Sequence, residues 1–93
     1  MRVTVLLAGV LRPAASGAAR LDIRVDDGTV GAVLDVLADR FPLLDRKLRD
    51  ERRVLRRYVN IYVDGEECRR LAGADTVVVD GTEIQVIPSV AGG

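Results

Sequence analysis

Two glycines, Gly92 and Gly93, follow the run Ile87-Pro88-Ser89-Val90-Ala91 at the end of the 93-residue sequence. Glycine has no Cβ, so a pair of them makes the thinnest end a polypeptide can have, able to adopt conformations closed to other residues inside a narrow channel. The reactive group of such an end is its carboxylate. Gly93 is therefore expected to carry the chemistry, with Val90, Ala91 and Gly92 as the slender stretch that enters a partner's channel; a merely frayed end is the plain alternative. The rest of the inventory offers little else that reacts. There is no His, and Cys68 is the only Cys. Triads that need an imidazole base are excluded, an intramolecular disulfide is impossible, and zinc, haem or iron–sulfur ligation would have to come almost wholly from carboxylates. No metal site and no conventional hydrolase catalysis are expected.

Cys68 invites a sulfur-relay reading, but no His or Lys adjoins it to lower its pKa, so packing or simple exposure is the expectation. A second feature is the charged stretch 46 to 57, where Arg46, Lys47, Arg49, Arg52, Arg53, Arg56 and Arg57 hold half of the 14 positive charges. Three uses stay open for it: a solvated loop or helix face, a surface complementary to an acidic partner, or nucleic-acid contact. Asp50 and Glu51 interrupt the run, aromatics are 3% of residues and the net charge is zero, so no base-stacking platform or general polyanion surface is expected. Asp35, Asp39 and the pair Asp26-Asp27 read as solubility and turn residues.

The elements that must hold these groups follow from hydrophobic period. At 93 residues the chain has room for one domain, expected over 1–93 with a flexible tail over 88–93. Val3, Val5 and Leu7 alternate with Thr4 and Leu6, which predicts an opening strand. After a turn region at 13–19, Leu21, Ile23 and Val25 alternate with Asp22, Arg24 and Asp26, predicting a second strand in a hairpin with the first. Thr29 is placed to cap a helix whose apolar positions Val30, Val33, Leu34 and Leu37 recur at helical spacing until Pro42. A short helical turn held by Leu44 and Leu48 is expected over 43–50. Tyr58 to Val63 reads as a third strand, Asp64-Gly65 as a hairpin turn and 67–70 as a short fourth strand. Asp80-Gly81 turns the chain into a last strand over 82–87, with Ile84 and Val86 inward.

The longest apolar run, Val3 to Leu11, is about half of what crosses a bilayer. Arg2, this run and the small residues that follow loosely imitate a signal peptide, but the run alternates like a strand and is cut by Arg12-Pro13. A cytoplasmic protein with no membrane contact is expected. The order strand, strand, helix, connection, three strands fits an α+β arrangement of one main helix on a mixed sheet, the β-grasp (ubiquitin-like) layout, whose last strand lies centrally beside the first.

That order, with Thr29-Val30-Gly31-Ala32-Val33-Leu34, Tyr58-Val59-Asn60-Ile61-Tyr62-Val63-Asp64, the Asp80-Gly81 turn and the ending Val90-Ala91-Gly92-Gly93, resembles the ubiquitin-like sulfur carriers of the MoaD/ThiS family, which comprises molybdopterin-synthase small subunits and thiamine sulfur carriers. The resemblance covers essentially the whole chain. Arg57 to Val63 and Ile87 to Gly93 are most similar to the branch serving actinobacterial cysteine biosynthesis. The resemblance implies a sulfur carrier whose Gly93 carboxylate is adenylated by an E1-like adenylyltransferase of the MoeB/ThiF type, using ATP and Mg2+, and then converted to a thiocarboxylate. The resemblance further implies that the carrier is not an enzyme and binds no cofactor itself. The implied acceptor is a PLP-dependent cysteine synthase or a thiazole-synthase-like enzyme, with a metal-dependent peptidase to release cysteine and regenerate Gly-Gly. Molybdopterin, thiamine thiazole or a sulfur-containing secondary metabolite are alternative destinations, and a ubiquitin-like protein modifier or a binding module is the alternative class. In the β-grasp order Leu6, Tyr62 and Ile87 share the outer sheet face beside the tail and are expected to form an apolar docking patch; scattered exposed apolar side chains are the other reading.

Overall fold

Alternation sets the first strand, β1 (Arg2–Leu7): Val3, Val5 and Leu7 are buried, while Thr4 and Leu6 are half-covered on the opposite face. The computed structural model describes residues 1–89. Residues 9–15 form a 3-10 turn, where only an irregular turn region from residue 13 was expected. It buries Leu11 and Ala15 and ends with Ser16 and Gly17 at positive φ. The chain then returns as β2 (Arg20–Arg24), antiparallel to β1 with Val3 opposite Ile23.

Gly28 sits where no side chain fits, since a Cβ would lie 2.8 Å from the carbonyl oxygen of Val78. Next to it the Thr29 hydroxyl accepts the Ala32 N–H at 3.1 Å and opens α1 (Val30–Arg40), whose buried Val30, Val33, Leu34 and Leu37 face the sheet. The Phe41 N–H closes α1 on the Leu37 carbonyl, and Pro42, which needs no donor in a first turn, starts α2 (Pro42–Leu48). The remaining strands are β3 (Val59–Val63), β4 (Glu66–Glu67) and β5 (Glu83–Pro88). Asp64 and Gly65, at φ 48° and 89°, make the tight turn between β3 and β4.

The sheet order is β2-β1-β5-β3-β4, with β5 parallel to β1 and antiparallel to β3. This is the expected β-grasp layout. The core lies between the inner sheet face and the helices, with Val3, Val5, Ile23, Ile61, Ile84 and Val86 at 0–1% exposure. Two sequence expectations are corrected. The fourth strand is only two residues long and lies earlier than 67–70, because Cys68 turns inward and the Glu67 carboxylate takes the Arg69 N–H at 2.8 Å, starting a 3-10 turn over Cys68–Arg70. Pro88 and Ser89, expected to open the tail, instead complete the sheet: Pro88 is opposite Val59, and Ser89 donates its N–H to the Tyr58 carbonyl at 2.6 Å.

The Arg-rich stretch is built around three aspartates and one buried cation. One oxygen of Asp50 accepts the N–H groups of Arg52 and Val54, and these bonds hold its carboxyl below the usual carboxylate range. Arg49 is only 5% exposed; its Nη1 lies 2.9 Å from Asp35 on α1, and its Nε 2.8 Å from Asp45 on α2. Arg53 reaches the same Asp35 oxygen at 3.1 Å. Asp35, read from sequence as a solubility residue, therefore ties α1 to the segment after α2. Removing one partner of a buried pair costs about 3–5 kcal/mol when both are enclosed. Here Asp35 is half-exposed, so we expect Arg49→Met to lower unfolding free energy by about 2 kcal/mol, and Asp35→Asn by clearly less. Equilibrium urea unfolding checks both; equal and negligible losses would contradict the assignment.

Candidate functional site

The chain leaves the described residues from β5, the central strand of the sheet. Odd-numbered residues of β5 direct their backbone groups to β3, even-numbered ones to β1: the Asp64 N–H bonds the Glu83 carbonyl at 2.8 Å, while the Thr4 and Ala8 N–H groups bond the carbonyls of Thr82 and Val86. A donor at residue 88 would point to the Ala8 carbonyl on the β1 side, which already accepts the Leu11 N–H in the 3-10 turn. Proline there forfeits no ladder bond, which explains its place at the end of a central strand. Two aspartates of the Asp-Gly turns pin the entry side. Asp64 accepts the Glu83 N–H, and Asp80 the Arg2 N–H, each at 2.8 Å. At the exit the hydroxyl and N–H of Ser89 both donate to the Tyr58 carbonyl. Gly93, Gly92, Ala91 and Val90 lie outside the described residues.

A further support was missed from sequence. Because β4 stops at Glu67, the outward carbonyls at the start of β3 have no strand beside them. The Arg69 guanidinium takes that place, donating from Nη1 to the Val59 carbonyl at 2.8 Å and from Nη2 to the Arg56 carbonyl at 2.7 Å, while the Glu67 carboxylate holds it at 3.1 Å. These carbonyls flank Tyr58, which anchors Ser89. No sequence pattern signals this contact, since it depends on β4 being short.

Leu6, Tyr62 and Ile87 are all half-buried on the outer sheet face. Leu6 and Tyr62 stand in one row with Gln85 between them, and Ile87 stands in the next row opposite Asn60. Leu6 and Ile87 line one groove together with Ala8, Arg12, Ala19 and Arg20. Tyr62 borders a separate depression with Glu66, Glu67 and Arg70. The outer face is thus amphipathic, apolar at Leu6 and Ile87 with Arg12 and Arg20 beside them, and of mixed charge around Tyr62. Cys68 is 1% exposed, and burial, reinforced by the Glu67 carboxylate, raises its thiol pKa, so it packs in the core and is not poised as a thiolate. Among the described residues no group of three or more His, Cys, Asp or Glu is arranged to hold a metal ion, and no helix is long and apolar enough to cross a membrane.

Residues 5–93 match the family described as ThiS, a span that runs through the Gly-Gly end. The chain belongs to the ThiS family. It is 36% identical over 95 aligned residues to the sulfur carrier protein CysO of Mycobacterium tuberculosis, covering the whole of both chains. Among solved structures, it resembles a chain of the Amycolatopsis orientalis BexX/CysO complex with TM-score 0.84 and 31% identity, over 98% of this chain and 99% of that one. It also resembles SAMP1 of Haloferax volcanii with TM-score 0.85 and 28% identity over the full length of both. Within the ThiS family, then, this chain mounts its terminal segment on a strand pinned from both sides.

Hydrogen bonds to a charged donor contribute about 1.5–3 kcal/mol. Arg69 is partly exposed, so Arg69→Ala is expected to cost about 1–2 kcal/mol and to speed amide exchange at Ser89 more than at Ile84. A uniform acceleration across β5 would show that Arg69 does not specifically support the exit of the tail.

Proposed function

We propose that this chain is a sulfur carrier, a co-substrate of partner enzymes and not a catalyst, working through the carboxylate of Gly93. The observation that carries this reading is the family match running from residue 5 to the last glycine, joined to full-length likeness to CysO. A carboxylate is a poor electrophile because its carbonyl carbon is shielded by delocalised negative charge. Attack of a carboxylate oxygen on the α-phosphorus of ATP, with Mg2+ and loss of pyrophosphate, would give an acyl adenylate. Sulfide would then displace AMP and leave a thiocarboxylate. An E1-like adenylyltransferase of the MoeB/ThiF type is the partner suited to this step. Holding sulfur on a thin tether lets the acceptor enzyme supply acid, base and cofactor, which is consistent with a chain that has no His.

Cysteine biosynthesis is the destination we favour, through an aminoacrylate on a PLP-dependent cysteine synthase followed by a metal-dependent peptidase. The likeness to CysO supports it. The likeness to SAMP1 favours a second reading, in which the tail is joined to protein lysines as a modifier. In either case the outer face with Leu6, Ile87 and Tyr62 is the surface we assign to partner docking, and the protein would act in the cytoplasm.

Intact-mass spectrometry after incubation with ATP, Mg2+, a cognate activating enzyme and a sulfide source tests the proposal. A carrier gains the mass of one sulfur-for-oxygen exchange, and deletion of Gly93 abolishes that gain. Cys68→Ser is expected to load fully, and Ile87→Asp to load at least several-fold more slowly. Isopeptide adducts without the sulfur exchange would favour the modifier, and loading of the Gly93 deletion would sink both readings.

A further inference from the structure

Away from the tail, the segment after α2 encloses a cleft of about 550 Å³ whose wall carries four guanidinium groups, those of Arg46, Arg49, Arg53 and Arg56. The geometry points to this cleft as a binding site for a tetrahedral oxyanion of the phosphate class. Arg49 supplies the deciding observation. It is 95% buried by its 5% exposure, its Nη1 and Nε are committed to Asp35 and Asp45, yet its Nη2 is buried with no hydrogen-bond partner among the described residues. A buried guanidinium N–H without an acceptor favours an oxygen ligand, because burial without a partner is costly.

The surroundings supply more uncommitted donors than acceptors. Arg46 makes no side-chain hydrogen bond among the described residues, and Arg56 spends only Nε, on the Arg46 carbonyl. Against them stand three carboxylates: one oxygen of Asp45 accepts Arg49, one oxygen of Asp50 accepts two backbone N–H groups, and Glu51 completes the wall. The negative end of α2, which would repel an anion, is also quenched. Its last carbonyls receive the Arg49 N–H at Asp45, the Arg56 N–H at Leu48 and the Arg56 Nε at Arg46. Arginines with free forked donors on several sides suit a phosphate oxygen set better than a single halide.

Titration of the isotopically labelled full chain with inorganic phosphate, against sodium chloride at matched ionic strength, tests the site by NMR. We expect saturable shifts at the amides of 50–56 and at the Nε–H signals of Arg49 and Arg56, with several-fold weaker binding in Arg46→Gln, a surface change that should fold normally. A parallel titration with AMP separates the sources: tighter binding than phosphate at the same signals assigns the site to a phosphorylated ligand, and equal or weaker binding assigns it to the free ion. Shifts reproduced by chloride, shifts spread equally over Arg2, Arg20 and Arg24, or Arg46→Gln binding phosphate as well as the parent would overturn the site. So would a crystal structure grown in phosphate with only a water on Arg49 Nη2.

Discussion

The backbone pairing of β5 on both of its sides is the constraint from which the rest of the molecule follows. The strand joins a parallel neighbour to an antiparallel one and buries Ile84 and Val86 between the sheet and the helices. No backbone ladder joins the two halves of the sheet except through it. A tail rooted in such a strand begins from a fixed place and direction, which is what a partner needs if it is to bring its reactive groups to a terminal carboxylate.

Where the backbone ladder stops, polar side chains finish the pairing. Arg69 stands in for the missing length of β4, the Asp64 and Asp80 carboxylates accept N–H groups at the entry to β5, and Ser89 doubles its bond to Tyr58 at the exit. Arg49 does related work between α1 and α2 through Asp35 and Asp45. These contacts are local and directional, so they fix orientation more than they add to the hydrophobic stability of a core this well filled.

What could be read from sequence was what repeats with a short period. The alternation of Val3, Val5 and Leu7, the spacing of Val30, Val33, Leu34 and Leu37 with Thr29 before them, and the Asp-Gly turns each named an element and its buried face. The positions of Leu6, Tyr62 and Ile87 on one face followed from the same alternation once the strand order was assumed. The intervening Gln85 did not, because it depends on register between strands far apart in sequence. The roles of Asp35, Arg49 and Arg69 were illegible for a similar reason. Each bonds a group 10 to 14 residues away across a turn or helix junction, and such contacts leave no periodic trace. The two-residue β4 was misplaced because an inward Cys and a local Glu–Arg turn outweighed a hairpin pattern that would have run on.

The central strand is also the last one among the described residues, and its residue Glu83 is opposite Thr4 of β1, a separation of most of the polypeptide. On the ribosome, the β1–β2 hairpin and the β3–β4 hairpin must wait as separate pieces until β5 has been made and can slide between them. Long-range parallel pairing of this kind is slow and leaves apolar faces open meanwhile. A truncated or stalled product without β5 would therefore leave the two hairpins unjoined and their apolar faces open to chaperones and proteases.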